Sequence, residues 1–109
     1  MRPIHVTEAE SEILEALWRE GPLSFASLIE SVKQRQAWAD ATIKTLLGRL
    51  MHKGAVRSVR DDGRQRYHPA FSRDDYVAAE IQALADRLFG GDRAALAAWA
   101  ARTWHPGAT

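Results

Sequence analysis

The 109 residues contain no cysteine. That excludes disulfides, thiolate zinc sites and cysteine nucleophiles, and it agrees with a reducing compartment. Long apolar runs are missing too: no window approaches the ~18 consecutive apolar residues of a membrane span. The opening stretch MRPIHVTEAE has neither the basic n-region nor the apolar h-region of a secretory signal. A cytoplasmic protein without a membrane partner is therefore expected. The sequence also lacks a Ser-His-Asp pattern, a phosphate-cradling glycine loop and paired carboxylates in an apolar setting, so it reads as no enzyme and as needing no cofactor. The four histidines, His5, His52, His68 and His105, are too scattered for any standard zinc spacing, and no metal site is expected. What is present is ordinary in bulk. With 46% hydrophobic and 27% charged residues the chain matches soluble globular domains and should fold around one small core, with room for an appendage.

Charge is distributed unevenly along the chain, although the net value is only +1. Residues 1–32 hold two basic groups against six acidic ones, a balance of −4. Residues 33–66 reverse it: Lys33, Arg35, Lys44, Arg49, Lys53, Arg57, Arg60, Arg64 and Arg66 stand against Asp40, Asp61 and Asp62, a balance of +6. The remainder is at −1. A basic block within a near-neutral chain is the pattern expected where one surface meets a polyanion.

Helix signals are explicit. Thr7 with Glu10 three residues on forms a capping box, Ala9, Ile13, Ala16 and Leu17 repeat at helical spacing with Leu14 and Trp18 beside them, and Gly21-Pro22 ends the run. Ser24 caps a second helix in which Phe25, Leu28, Ile29 and Val32 keep the i, i+3, i+4, i+7 pattern up to Lys33. A third helix is expected from about Asp40 to Lys53, stopped by Gly54. Ile43, Leu46, Leu47, Leu50 and Met51 share one side of it. Ala41, Thr42, Thr45, Gly48, Arg49 and His52 gather on the other. A merely solvated face would favour Glu and Lys. This one is small and hydroxylated at its centre and basic at its edges, and it carries a mid-helix glycine at a propensity cost of ~1 kcal/mol. Something comes close to it.

Downstream, Ala55 to Arg60 and Arg66 to His68 read as two short strands flanking a turn from Asp61 to Gln65, with Pro69 blocking extension. Ser72 caps a fourth helix with Asp74 and Asp75 in its first turn, and Val77, Ile81, Leu84 and Leu88 follow at spacings of four, three and four, an a/d seam. Phe89-Gly90-Gly91 breaks that helix. Asp92 caps a last one containing Leu96, Trp99, Ala100 and Trp104, before a loose tail from Pro106 to Thr109. Trp18 and Trp38 read as core or core-edge residues.

Three short helices followed by a β-hairpin is the order of a winged helix-turn-helix module. The expected fold class is mainly α: a winged-helix DNA-binding domain over 1–71 and a helical dimerisation region over 72–109. A recognition helix must fit a major groove ≈ 12 Å wide, so compact outward side chains with long cations at the flanks suit it. Ala41, Thr42 and Thr45 would face base edges, Lys44, Arg49 and Lys53 would reach phosphates, and Arg64 and Arg66 of the wing would add further phosphate contacts. The seam of Val77, Ile81, Leu84 and Leu88 is spare, because the three-helix unit already has its own apolar stripes, and an intermolecular use is expected, with Leu96, Trp99 and Trp104 joining it. Two rival classes stay open: a winged-helix protein-interaction module that never touches DNA, and a ligand- or metal-sensing regulator.

The residues themselves resemble the penicillinase-repressor family of bacterial winged-helix regulators, the BlaI/MecI/CopY group. The run from Trp38 through Thr42-Ile43-Lys44-Thr45-Leu46-Leu47-Gly48-Arg49-Leu50 to Lys53-Gly54 is similar to that family's W-x-x-x-T-V-K-T-L-L-x-R-L-x-x-K-G signature. Glu8-Ala9-Glu10, Leu17-Trp18 and Gly21-Pro22-Leu23 resemble its opening, and Gly63-Arg64, Tyr67-His68-Pro69, Ser72 to Tyr76 and Phe89-Gly90-Gly91 continue the likeness. The resemblance implies a homodimeric repressor on an inverted-repeat operator, with the last two helices as dimer interface. It also marks departures. Ala39 and Ala41 stand where family members often have a serine cap and a basic residue, which implies a different reading of operator bases at the helix start. Ala98-Trp99 replaces the Asn-Phe bond cleaved in the penicillinase branch, and the copper branch's cysteine pair is excluded by composition.

Overall fold

The computed structural model describes residues 4–104. His105 and the tail from Pro106 to Thr109 lie outside the described residues. Helix α1 runs Glu8–Glu20 and opens as its capping box requires: the Thr7 hydroxyl accepts from the Glu10 backbone N–H at 3.2 Å, and the Thr7 N–H donates to Glu10 Oε1 at 2.9 Å. Helix α2, Phe25–Lys33, begins where the Ser24 hydroxyl accepts from the Ser27 N–H at 3.2 Å. Helix α3, Asp40–Lys53, starts at Ala39 with no side-chain cap and ends at Gly54, whose φ of +79° lets its N–H turn back onto the Leu50 and Met51 carbonyls. The apolar faces of these three helices meet. Ile13, Leu14, Leu17, Leu28, Ile43 and Leu50 are each less than 2% exposed. Met51, grouped with the core side from periodicity, is instead 39% exposed, because it lies at the edge of the buried arc one step past Leu50.

The hairpin is longer and its turn tighter than the residue pattern indicated. Strands β1, Val56–Asp61, and β2, Arg64–Pro69, pair antiparallel from Val56↔Pro69 to Asp61↔Arg64. Only Asp62 and Gly63 remain in the turn, at φ +50° and +75°. Asp-Gly with both residues left-handed is the two-residue connection whose twist matches the flanking strands, and it draws Arg64 and Gln65 into β2. Pro69 ends β2 inside the ladder rather than before it, where a missing N–H is tolerated. A single bridge, Leu23↔Tyr67, ties the α1–α2 connection to β2 through N–H to carbonyl bonds of 3.3 and 2.8 Å. Trp18 sits at the core edge, its indole N–H donating to the Phe71 carbonyl at 2.9 Å.

One compact unit reaches to Arg73 and a second begins at Asp74. Helix α4 spans Arg73–Leu88 and α5 spans Arg93–Thr103. Gly90 and Gly91 separate them, and the Gly91 N–H closes the end of α4 on the Ala85 carbonyl at 2.9 Å. Asp92 then caps α5 by accepting from the Ala95 N–H at 3.1 Å. The expected seam is largely uncovered: Val77, Ile81, Leu88, Trp99 and Trp104 are exposed, while Leu84 and Leu96 are half-buried.

Candidate nucleic-acid interface

The geometry of α3 follows from its rotation of 100° per residue. Ile43, Leu46, Leu47 and Leu50 are buried and define its inner side. The ridge diametrically opposite carries Ala41, Thr45, Gly48 and His52, all exposed. Lys44 and Arg49 project roughly 70° to either side of that ridge, and Thr42 lies next to Arg49. Ala41, Thr42, Thr45, Leu46 and Arg49 together line an open depression on this face. The helix thus presents a low centre between two cations, the profile that suits a groove whose floor is base edges and whose walls are phosphates.

Whether a cation can reach outward depends on what it already binds, and here the basic residues divide. Lys33 pairs with Asp40, Arg19 with Glu20 at 3.6 Å, and Arg73 with Glu15 at 3.0 Å. Lys53 is the most firmly held: its ammonium donates to Glu10 Oε1 at 2.5 Å and to the His5 carbonyl at 2.9 Å. By contrast, among the described residues no carboxylate pairs with Lys44, Arg49, Arg57, Arg64 or Arg66, and their side chains make no other hydrogen bond. Of the cations assigned to phosphates from the sequence, Lys53 is therefore placed differently. It faces back onto α1, because Glu10 is buried and needs a counter-charge.

Glu10 itself shows that tie electrostatically. Burial alone would raise its carboxyl, but the Lys53 hydrogen bond and charge, with the Thr7 backbone donor, hold it below the ordinary value of 4.5. The capping role of Glu10 was visible as a local motif. Its partner, 43 residues away, left no signal in the sequence.

The hairpin register sorts the wing's arginines. Directly opposed residues share a face, so Arg57, Val59, Asp61, Arg64, Arg66 and His68 lie on one side, while Val56, Ser58, Arg60, Gln65, Tyr67 and Pro69 lie on the other. Val56 and Tyr67 are buried, which makes theirs the inner face. Arg64 and Arg66 are thereby brought together on the outer face. Arg57 joins them, a residue the sequence did not single out and the strand register would have found. Arg60 is on the inner side near the tip and donates to the Gly63 carbonyl at 3.2 Å. No group of three or more His, Asp or Glu able to hold a metal occurs among the described residues, and no described helix is long and apolar enough to cross a membrane.

Comparison with known proteins places this geometry in context. A family model described as "Penicillinase repressor" matches residues 6–105. The chain is 34% identical over 90 residues to the transcriptional regulator BlaI of Mycobacterium tuberculosis, covering 81% of this chain and 65% of that one. It is 24% identical over 86 residues to the penicillinase repressor of Bacillus licheniformis, covering 79% and 67%. The matched region spans about three fifths to two thirds of the length of the curated relatives it resembles. Among solved structures, the monomeric form of Bacillus licheniformis BlaI in complex with the blaP half-operator superposes with a TM-score of 0.62 at 27% identity, over 70% of this chain and 94% of that one. The similarity supports the winged-helix fold read from the order of elements.

Proposed function

This chain belongs to the penicillinase repressor family, and from that premise we propose that it is a transcriptional repressor that binds operator DNA as a homodimer, with α3 in the major groove. The observation that carries this reading is the outer face of α3. Thr42 and Thr45 can meet base edges by hydrogen bond or methyl contact, and Lys44 and Arg49, free of internal partners, can reach phosphates on the two groove walls. The outer face of the wing, with Arg57, Arg64 and Arg66, adds cations for the flanking backbone. The solved relative bound to a half-operator supports the same use of the fold.

Dimerisation through the second unit is supported by its surface. Val77, Ile81 and Leu88 on α4, Trp99 on α5 and Trp104 just past its end are between 37% and 71% exposed, an amount of large apolar surface that a folded chain seldom leaves in water. A second copy covering them, with Leu84 and Leu96 at the margins, makes two recognition helices available to half-sites one helical turn, about 34 Å, apart on an inverted repeat. Repression follows from occupation of promoter DNA. The test is selection of duplexes from random sequence by the purified chain. A palindromic consensus, with affinity falling steeply as salt rises, is the expected result. Weak binding with no consensus would favour a protein-interaction module instead.

A further inference from the structure

We infer that Gly48 is a specificity-determining position: its missing side chain keeps clear the space over Thr45 so that a base edge can approach the α3 backbone there. The inference rests on the DNA-binding reading and deepens it.

A chain places glycine where φ is positive, where its own fold crowds the position, or where a partner does. Gly21, Gly54, Gly63, Gly90 and Gly91 all have positive φ, between +59° and +87°. Gly48 does not; it is an ordinary helical residue in the middle of α3. Its own fold does not crowd it either, since a Cβ built there meets nothing within 4 Å. Nothing inside the chain asks for glycine, yet the residue is the poorest helix former after proline. The remaining source of the demand is outside the chain.

Geometry says what a side chain would obstruct. Helical side chains lean toward the N-terminus and cover the surface over the preceding turn, so one at position 48 would stand above Lys44 and Thr45. Position 48 and Thr45 straddle the outward ridge of α3, roughly 30° to either side of its centre. Lys44 and Arg49, free and projecting on the two flanks, indicate that the approaching body is polyanionic and comes down over this ridge. A methyl at 48, level with the Thr45 Cβ on the other flank of the ridge, would fill the space through which a base edge reaches the α3 backbone beside the Thr45 hydroxyl.

The experiment compares wild type, Gly48→Ala, Gly48→Leu and Thr45→Ala, using a duplex that the wild-type chain selects from random DNA and an unrelated duplex of equal length. Gly48→Ala should raise Tm by about 4–8 °C, since a helix former replaces glycine in open space. The same variant should lose about tenfold in affinity for the selected duplex, with less than about twofold change on the unrelated one. In the Gly48→Leu background, Thr45→Ala should have no further effect on discrimination. Unchanged affinity together with a raised Tm would overturn the inference. So would a lowered Tm, which would mean the fold itself requires glycine. If the wild-type chain selects no duplex, the DNA-binding reading fails first, an outcome distinct from a selecting wild type that tolerates Gly48→Ala.

Discussion

Replacing Lys53 by methionine separates two roles that the sequence alone could not distinguish. The substitution keeps most of the aliphatic stem and removes the ammonium, with its 2.5 Å contact to Glu10 and its 2.9 Å bond to the His5 carbonyl. Glu10 is 1% exposed and Lys53 29%, so the carboxylate would be left buried with only the Thr7 donor. Breaking a fully buried pair costs about 3–5 kcal/mol; with one partner reaching solvent, about 2–3 kcal/mol is expected here. That corresponds to a fall in Tm of about 10–20 °C for a domain of this size. The pH dependence has a defined sign. Glu10 is held below its ordinary 4.5, so the stabilisation is present above that value and is lost as pH falls through the folded value, where the carboxyl takes up a proton. Thermal or urea unfolding at pH 7 and near pH 3 should therefore show wild type and variant converging in acid. At a temperature where both are folded, the slope of log affinity against log salt should be unchanged, because the Lys53 ammonium is already held by Glu10 and the His5 carbonyl. An undiminished Tm with a shallower salt slope would refute the reasoning and return Lys53 to the DNA surface.

Arg49→Ala should weaken binding to all duplexes and reduce the salt slope by about 1, whereas Thr45→Ala should mainly relax sequence preference; equal losses by both variants on selected and random duplexes would defeat that division. Ala39→Ser should stabilise the chain by about 1 kcal/mol in urea unfolding, because α3 begins with no side-chain cap and a hydroxyl there can accept from its first turn. Ile81→Asp places a charge in the exposed apolar seam and should convert a dimer to a monomer in sedimentation equilibrium, with little change in the far-UV signal of the helices.

Local signals in the sequence carried most of the first unit. The Thr7–Glu10 box, the Ser24 cap, Gly54 and the 3.6-residue period of α3 each involve residues within a turn or two of one another, and the helices stand where those residues put them. The hairpin was legible as a hairpin, but its turn was not. Reading Asp61 to Gln65 as one turn missed that Asp62-Gly63 closes the connection in two residues, and with it the register that gathers Arg57 with Arg64 and Arg66. The fate of Lys53 was hidden for a different reason. Its partner Glu10 lies at the far end of the unit, and a basic residue in a signature that resembles a DNA-binding helix reads as a phosphate contact until the fold shows what its ammonium already holds.

Two features of α3 work against its own stability, and both lie away from the core. The bare start at Ala39 forgoes about 1 kcal/mol of capping and Gly48 about another 1 kcal/mol of helix propensity. Ile43, Leu46, Leu47 and Leu50 offset this from the inner side, each burial stabilising by about 1.5–3 kcal/mol. The cations follow the same division. Lys53 at the end of α3 is fixed to α1, and Lys33 of α2 reaches Asp40 at its start, an exposed pair that orients more than it stabilises. Lys44 and Arg49, on the turns between, are left free. A helix held from beneath and at both ends can start without a side-chain cap and expose a low, cationic middle without losing its place on the core. Such a helix can enter a groove as a rigid element, so that small changes at Thr45 or Gly48 alter which bases it accepts rather than whether it folds.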